Sequence, residues 1–452
     1  HDWVYGKRWL EQFIEGVLSS ASVTTSHFGE FRSRHATHGV VYLPTTSYME
    51  MGEWTLPSDR ADDFAELIAQ HRANGQYDRF KPFLRGGIWR NFLSRYPEAN
   101  WMHKRMLALS ERLHRAPAGT VTSSMINSLY RAQANDGYWH GLFGGIYLPH
   151  LRRAVWRSML DLEHDLDTAV PRFATETLDI DLDGRQETFV RNADVQIVVR
   201  EDSDAAIVEL SSYALRHNFG DTLMRRREHY YRHVARQDET TKIVEGIASA
   251  HDRVAFRHEI HAEDLREDAR PRASFVDTLT AGMDGGAPSP AYERAGGTDT
   301  ELGFLATLPG STVSKTYRLQ GRALSVTYLT ELDSAGELQT EINLAMPSCD
   351  GSLGRLSRDG GVTGGFGSRV DHGSTSELLL EDGVLEGALL IRIQPPACAI
   401  SGPLHTVSQS EAGFEKIMQA LTLNLAWVLP KGHHEIRVTL DFWRDGAVPQ
   451  TT

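Results

Sequence analysis

Thr177–Glu201 reads TLDIDLDGRQETFVRNADVQIVVRE, and this stretch decides the fold. Asp183-Gly184 sits between two segments that alternate apolar and polar residues, the pattern of a β-hairpin turn. Pro171 stands just upstream, and beyond it the chain changes character. VQIVVRE, AAIVELSS, RVAFRHEIH, ALSVTYLTEL, TEINLAMPS, GALLIRIQ and HHEIRVTLDFW follow as strands with polar breaks, which predicts a large antiparallel β-sandwich. Two glycine-rich stretches, 281–297 and 350–373, read as long loops.

Upstream of the hairpin the period is helical. Trp9, Leu10, Phe13, Ile14 and Val17 recur about every 3.6 residues, so 7–18 reads as an amphipathic helix. Met102, Met106, Leu109 and Leu113 form a second stripe, and 62–72, 123–134 and 151–162 read as further helices. Ser58 is placed to cap the helix at 62–72. Val40, Val41, Tyr42 and Leu43 form an apolar run stopped by Pro44, read as a buried strand ending in a loop.

Composition is that of a globular protein, with 40% apolar and 24% charged residues, which excludes disorder. No stretch approaches the roughly 20 apolar residues that span a bilayer, so no membrane partner is expected. Charge is divided unevenly. Residues 1–170 hold 19 basic and 18 acidic side chains, and 171–452 hold 28 and 42, so +1 faces −14. Seven of the nine tryptophans lie in the first 156 residues. The acidic balance argues against nucleic acid and favours a neutral or cationic ligand. Two cysteines, Cys349 and Cys398, point to a reducing, cytoplasmic setting. The opening HDWVYGKRWL has no initiator Met and reads as part of something longer.

Three stretches carry candidate chemistry. YLPTTSYMEMGEW, residues 42–54, brings Tyr48, Glu50, Glu53 and Trp54 together at the end of the expected strand. Aromatic faces beside carboxylates suit sugars, whose C–H faces stack on rings while hydroxyls bond acidic oxygens. The plainer reading is a capped connection with Met49, Met51 and Trp54 filling core. YRAQANDGYWHGLFGG, residues 130–145, sets Asn135, Asp136, Tyr138, Trp139 and His140 beside glycines that let a ligand approach the backbone. Its plainer reading is a helix terminus with a buried Trp. FLRGGIWRNFLSRYPEANWMHKR, residues 83–105, is basic and Trp-bearing, and reads chiefly as a helix pair with solvated charges. Neither the histidines at 258 and 261 nor those at 433 and 434 have metal-ligand spacing, so no metal or cofactor is expected. Nucleophile elbows, P-loops and dinucleotide fingerprints do not occur.

Together these stretches resemble glycoside hydrolase family 57, most closely its 4-α-glucanotransferase and α-amylase members. YRAQANDGYWHGLFGGIYLPHLR, residues 130–152, resembles the family's fifth conserved region, with Ala134 where Cys is usual. His217-Asn218-Phe219-Gly220-Asp221 followed by TLMRRREHYY resembles the start of its C-terminal domain. The resemblance implies α/β plus all-β architecture. It divides the chain into the tail end of an incomplete (β/α) barrel at 1–57, a helical domain at 58–168, and a mutarotase-like antiparallel β-sandwich at 169–452.

It also implies a retaining reaction on α-glucosidic bonds, which needs a nucleophile and an acid/base carboxyl about 5–5.5 Å apart. In the family that pair precedes the helix that begins here with HDWVYGKRWL, and the Asp-Gly-Glu-Lys-Phe-Gly-like acid/base motif does not occur in these 452 residues. No catalytic residue is therefore assigned, and the chain alone is expected to be inactive. Asp136, Trp139 and His140 carry over as substrate-binding candidates, with Tyr48, Glu50 and Trp54 as a second group from the bordering loop. The expected partner is an α-1,4-glucan or maltooligosaccharide. The alternatives are a non-catalytic α-glucan-binding module, or a structural sandwich that supports a homodimer. The resemblance further implies that Trp9, Leu10, Phe13 and Ile14 pack on barrel strands not found in this sequence, and so form an exposed apolar patch.

Overall fold

The computed structural model describes residues 2–43, 45, 47–141, 144–235, 257–281, 289–349, 351–410 and 413–444. They form two compact units, residues 1–46 and 47–452. Among the described residues no helix is long and apolar enough to cross a membrane.

In the smaller unit the amphipathic segment forms α1 (Trp9–Ser19), followed by α2 (Phe28–Arg34). Trp9, Phe13 and Ile14 are exposed and Leu10 is half-buried, with the Trp9 and Phe13 rings stacked 5.3 Å apart. Val40–Leu43 has no regular secondary structure and is exposed, not a buried strand. An apolar run becomes a strand only where a partner takes up its N–H and C=O groups, and no described residue pairs with this one.

The larger unit begins with helices: α3 (Met49–Trp54), α4 (Ser58–Ala73), α5 (Tyr77–Phe80), α6 (Trp89–Arg95), α7 (Pro97–Arg115), α8 (Ser123–Ala132) and α9 (Pro149–Ala169). Ser58 is the first residue of α4 rather than its cap, and its hydroxyl serves the main chain of Arg227 instead. Helix α7 follows from its sequence. Pro97 occupies the first turn, where no N–H is needed, with Glu98 beside it and Arg112, His114 and Arg115 in the last turn, each sign matching the helix dipole. Its stripe of Met102, Met106, Leu109 and Leu113 is buried against Val155, Trp156, Met159 and Leu162 of α9 and Met125 and Leu129 of α8.

These three helices pack on a five-stranded antiparallel sheet of order β1 (Thr175–Leu178), β2 (Glu187–Arg191), β3 (Val195–Arg200), β4 (Ile207–Ser212) and β5 (His217–Asn218). The hairpin expected at Asp183-Gly184 joins β1 to β2, pairing Leu178 with Glu187. Phe189 and Val198 face the helices, whereas Val190, Val195, Ile197, Val199 and Ile207 face a second sheet. A strand buried on both faces can be apolar at consecutive positions, which explains the run Ile197-Val198-Val199.

The second sheet holds the remaining twelve strands: β6 (Val276–Ala281), β7 (Glu293–Thr298), β8 (Glu301–Leu308), β9 (Ser311–Gln320), β10 (Ala323–Leu332), β11 (Gly336–Leu344), β12 (Gly354–Arg358), β13 (Gly361–Gly364), β14 (Val370–Asp382), β15 (Gly387–Ser410), β16 (Gly413–Leu429) and β17 (Gly432–Arg444). One branch runs β13-β12-β14-β15-β17-β10-β9-β8-β7, and a second leaves β15 through β16 and β11 to β6. The fork is in β15. Its residues 387–394 pair with β17, and 398–410 pair with β16. Pro395 and Pro396, which have no N–H for a ladder, fall at the change of partner. Alternating β10 sends Leu324, Val326, Tyr328 and Leu332 into the core.

Three strand and loop expectations need correction. Of RVAFRHEIH, residues 253–256 lie outside the described residues and 257–261 are not a strand. Arg257 N–H donates to Phe414 O (2.9 Å), so this segment lies along β16 without forming a ladder. The stretch 281–297 contains most of β7, an edge strand exposed at all six positions, so no alternation marks it. Likewise 350–373 contains β12, β13 and the start of β14, where glycine replaces the side chains that would reveal a period.

Helices and first sheet are joined by Arg105 of α7. Its guanidinium, fully buried, donates to Glu163 of α9 (2.8 and 3.0 Å) and Glu209 of β4 (2.9 and 3.2 Å). Gln196 of β3 donates to both carboxylates as well. Arg105→Ala leaves Glu209 in the interior without a charged partner and Glu163 with Arg172 (2.9 Å) in place of two guanidinium groups, and a loss of about 3–5 kcal/mol is expected in urea unfolding. A loss within about 0.5 kcal/mol, that of an exposed pair, contradicts this account.

Candidate functional site

The site is built where three backbone segments meet. Gly87 N–H donates to Gly52 O (2.9 Å), and a Cβ on Gly86 would lie 2.0 Å from that same oxygen. Only glycine lets the segment before α6 approach α3 this closely. Ser47 Oγ accepts from Trp89 N–H (3.2 Å), fixing the start of α6 to the residue before Tyr48. From the third segment, Ile146 N–H donates to Trp139 O (2.8 Å) across a turn containing Gly144 (φ +89) and Gly145 (φ +48). A Cβ on Gly145 would sit 1.8 Å from Trp139 O. Residues 47–54, 86–92 and 139–146, separate in sequence, thus converge among the described residues.

What converges is aromatic. The Trp139 ring lies 5.1 Å from Phe92, 6.1 Å from Tyr48 and 6.5 Å from Trp54, between centroids. It is half-buried, between the clusters of Trp54 and Phe92. Tyr48 is 56% exposed, whereas Trp54 is only 6% exposed and packs on His140 (4.4 Å), His229 (4.7 Å) and Tyr230 (5.6 Å). Trp54 therefore supports the cluster from below, and Tyr48 and Trp139 reach its surface.

Asp136 is exposed on the short 3₁₀ turn Asn135–Tyr138, immediately before Trp139. Glu50 is half-buried in the first turn of α3. Among the described residues neither carboxylate has a hydrogen-bond partner, so both retain full accepting capacity. His140 differs. It is completely buried, ringed by Trp54, Tyr96, Tyr147 and Tyr230, with Nε2 in a 3.1 Å hydrogen bond to Tyr230 Oη. Burial, with Arg95 and His229 nearby, holds its pKa well below the usual histidine value. In this fold His140 is a neutral part of the floor.

Beneath the floor lies Glu228, which sequence reasoning did not single out within RRREHYY. It is fully buried. Its Oε1 accepts from Tyr96 Oη (2.7 Å) and Tyr147 Oη (2.6 Å), and its Oε2 from Arg95 (2.6 Å). Arg95 also donates to the carbonyls of Trp54 (2.8 Å) and Leu56 (2.7 Å). The charge repeat of 83–105 is thus partly internal: Arg95 and Arg105 are consumed in buried pairs rather than displayed. A separate cavity of about 250 Å³ opens by His150, Arg153, His217 and Asp221, and none of the six candidate residues lines it.

The floor has a pH signature. Unfolded histidine titrates near 6.5, whereas His140 and the equally buried His217 resist protonation in the fold. Below pH 6.5 the unfolded chain takes up protons that the folded chain refuses, so this stability is present above pH 6.5 and lost as pH falls. Urea unfolding is expected to lose up to about 1.4 kcal/mol for His140 between pH 7.5 and 5.5, with His217 adding in the same direction. His140→Gln should remove one histidine's share of that slope, and an unchanged slope contradicts the assignment.

Comparison with known proteins shows the family. Residues 87–166 match the family model described as alpha-amylase/4-alpha-glucanotransferase, middle domain, and 179–284 with 301–440 match its C-terminal counterpart. The chain is 32% identical over 444 residues to an alpha-amylase of Pyrococcus abyssi, covering 94% of this chain and 64% of that one. It is 31% identical over 464 residues to a 4-alpha-glucanotransferase of Thermococcus kodakarensis, covering 98% and 65%. The crystal structure of 4-alpha-glucanotransferase from Thermococcus litoralis superposes with a TM-score of 0.71 at 28% identity, covering 97% of this chain and 64% of that one. The chain thus spans just under two thirds of the length of these relatives. With both models matched in order across its helices and sheets, the chain belongs to the alpha-amylase/4-alpha-glucanotransferase family.

Proposed function

We propose that this chain supplies one wall of an α-glucan-binding cleft in a retaining 4-α-glucanotransferase or α-amylase. The observation that carries the reading is the surface of the aromatic cluster. Trp139 is half-buried and held by the glycine turn that follows it, Tyr48 lies edge-on to it, and Asp136, three residues before it, is exposed and has no hydrogen-bond partner among the described residues. A ring fixed in place gives a sugar face a stacking surface without the cost of ordering it, and a free carboxylate accepts from two hydroxyls. Glu50 adds a second acceptor, and Trp54 and His140 act by supporting Trp139 rather than by touching sugar.

The pair that breaks the bond is not assigned within these 452 residues. The reading also takes 1–57 as the tail of a (β/α) barrel and the sandwich as mutarotase-like, in an intracellular protein. A sugar wall without that pair binds but does not turn over.

Calorimetric titration with maltoheptaose tests this directly. The unmodified chain should release binding heat, and Trp139→Ala should weaken the affinity about tenfold or more, which is about 1.4 kcal/mol. Asp136→Asn, at an exposed position, should weaken it with the unfolding temperature unchanged, separating lost binding from lost folding. Chromatography of the same mixtures should show maltoheptaose intact. No heat with the unmodified chain overturns the binding wall, and turnover that Asp136→Ala abolishes overturns the absence of the cleaving pair.

A further inference from the structure

The loop joining β1 to β2 reads DIDLDGRQE from Asp179 to Glu187. Asp179, Asp181 and Glu187 each bring a carboxylate oxygen to one place, the three atoms lying within 4.8 Å of one another. Asp181 and Glu187 are buried, and Asp179 is half-buried.

The main chain holds the acidic side chains in this arrangement. Asp183 N–H donates to Asp179 Oδ1 (3.1 Å) and Asp181 Oδ1 (3.2 Å), Gly184 N–H to Asp179 Oδ2 (3.0 Å), and Ile180 N–H to Glu187 Oε2 (3.2 Å). Gly184, at φ +90, makes the turn that aims these donors inward. Asn100 of α7 donates to Asp181 O (2.7 Å), fastening the loop to the helices.

Glu187 Oε1 is the unexplained atom. Its side chain has no exposure, and this oxygen accepts no hydrogen bond. Arg200 comes near, with Nε 3.7 Å from that oxygen and Nη2 3.7 Å from Asp181 Oδ2, but neither distance is a hydrogen bond and Arg200 Nε finds no acceptor. Lys104, on α7, donates to Asn100 Oδ1 (3.1 Å). Against these three carboxylates stand the Arg200 guanidinium and, beside Asp181, the Lys104 ammonium, which leaves acid in excess of base in a place largely closed to water. Such a charge is costly unless a cation cancels it.

We propose that Asp179, Asp181 and Glu187 bind a calcium ion that pins the β1–β2 hairpin against the helical layer. Every donor is oxygen, which selects a hard cation over zinc. At Ca–O distances of 2.3–2.6 Å, oxygens on opposite sides of one ion stand about 4.6–5.2 Å apart, and the observed grouping fits inside that shell. Calcium takes six to eight oxygens, so waters admitted on the half-buried Asp179 side complete the set. The sequence expectation of no metal rested on histidine spacing and did not weigh this loop.

The test uses the whole chain, stripped with EGTA and dialysed. Calcium chloride at about a hundred times its Kd should raise the unfolding temperature by about 5 °C. Calorimetry should give one site, and Asp179→Asn, at the least buried of the three positions, should remove both the heat and the shift, each read against that variant's own calcium-free unfolding temperature. The proposal is overturned if millimolar calcium gives neither heat nor shift, since Arg200 and Lys104 then balance the loop. It is equally overturned if magnesium binds more tightly than calcium, or if Asp179→Asn keeps the full shift.

Discussion

A carboxylate taken out of water costs several kcal/mol unless every oxygen finds a charged or hydroxyl donor, and Glu228 is the place where this protein meets that condition. Its donors arrive from different parts of the chain: Arg95 and Tyr96 from the junction of α6 and α7, and Tyr147 from the turn after Trp139. Arg95 extends the network to the main chain at Trp54 and Leu56. The Trp54, Phe92 and Trp139 rings therefore stand on segments whose relative positions are set by one buried anion. Apolar packing alone is non-directional and would tolerate many arrangements of these rings. A hydrogen-bonded carboxylate with three donors admits few.

That anchoring separates two roles that look alike in sequence. Trp54 and Trp139 are both tryptophans beside acidic residues, and His140 follows Trp139 directly. Yet Trp54 and His140 lie inside the ring cluster, and Tyr48 and Trp139 lie at its edge. A neutral, enclosed imidazole that already bonds to Tyr230 has little to offer a ligand, but it holds the ring next to it in place. The glycines do the complementary work, because at Gly86 and Gly145 a single methyl would drive two main chains apart.

Much of this fold is legible in the sequence wherever side chains repeat with a period. The stripe of Met102 to Leu113 becomes the buried face of α7, and ALSVTYLTEL becomes β10 with alternate residues inward. Asp183-Gly184 becomes the β1–β2 turn. Legibility fails where no period exists: at β7, exposed throughout, and at the glycine-rich β12 and β13. It fails differently at Val40–Leu43, where strand propensity is present but no described strand is beside it. For the site, motif content brought out the residues that converge, but burial is a property of the assembled fold and could not be read from motif spacing. Glu228 was hidden for a related reason, since RRREHYY reads as a solvated charge run until its glutamate is seen to face Arg95 and two tyrosines.

The division between helices and sheets is also less sharp in space than along the chain. The change of pattern near Pro171 is real in sequence, but the five-stranded sheet that follows is apolar on both faces. One face is the second sheet's partner, and the other, with Phe189 and Val198, is covered by α7, α8 and α9. Arg105 then crosses the same boundary to reach Glu209 of β4 while also pairing with Glu163 of α9, so that a charge on one helix is shared between a helix and a strand. Removing either layer would expose apolar surface, and removing the helices would also leave Glu209 without its charged partner. Helices and first sheet are therefore one packing unit.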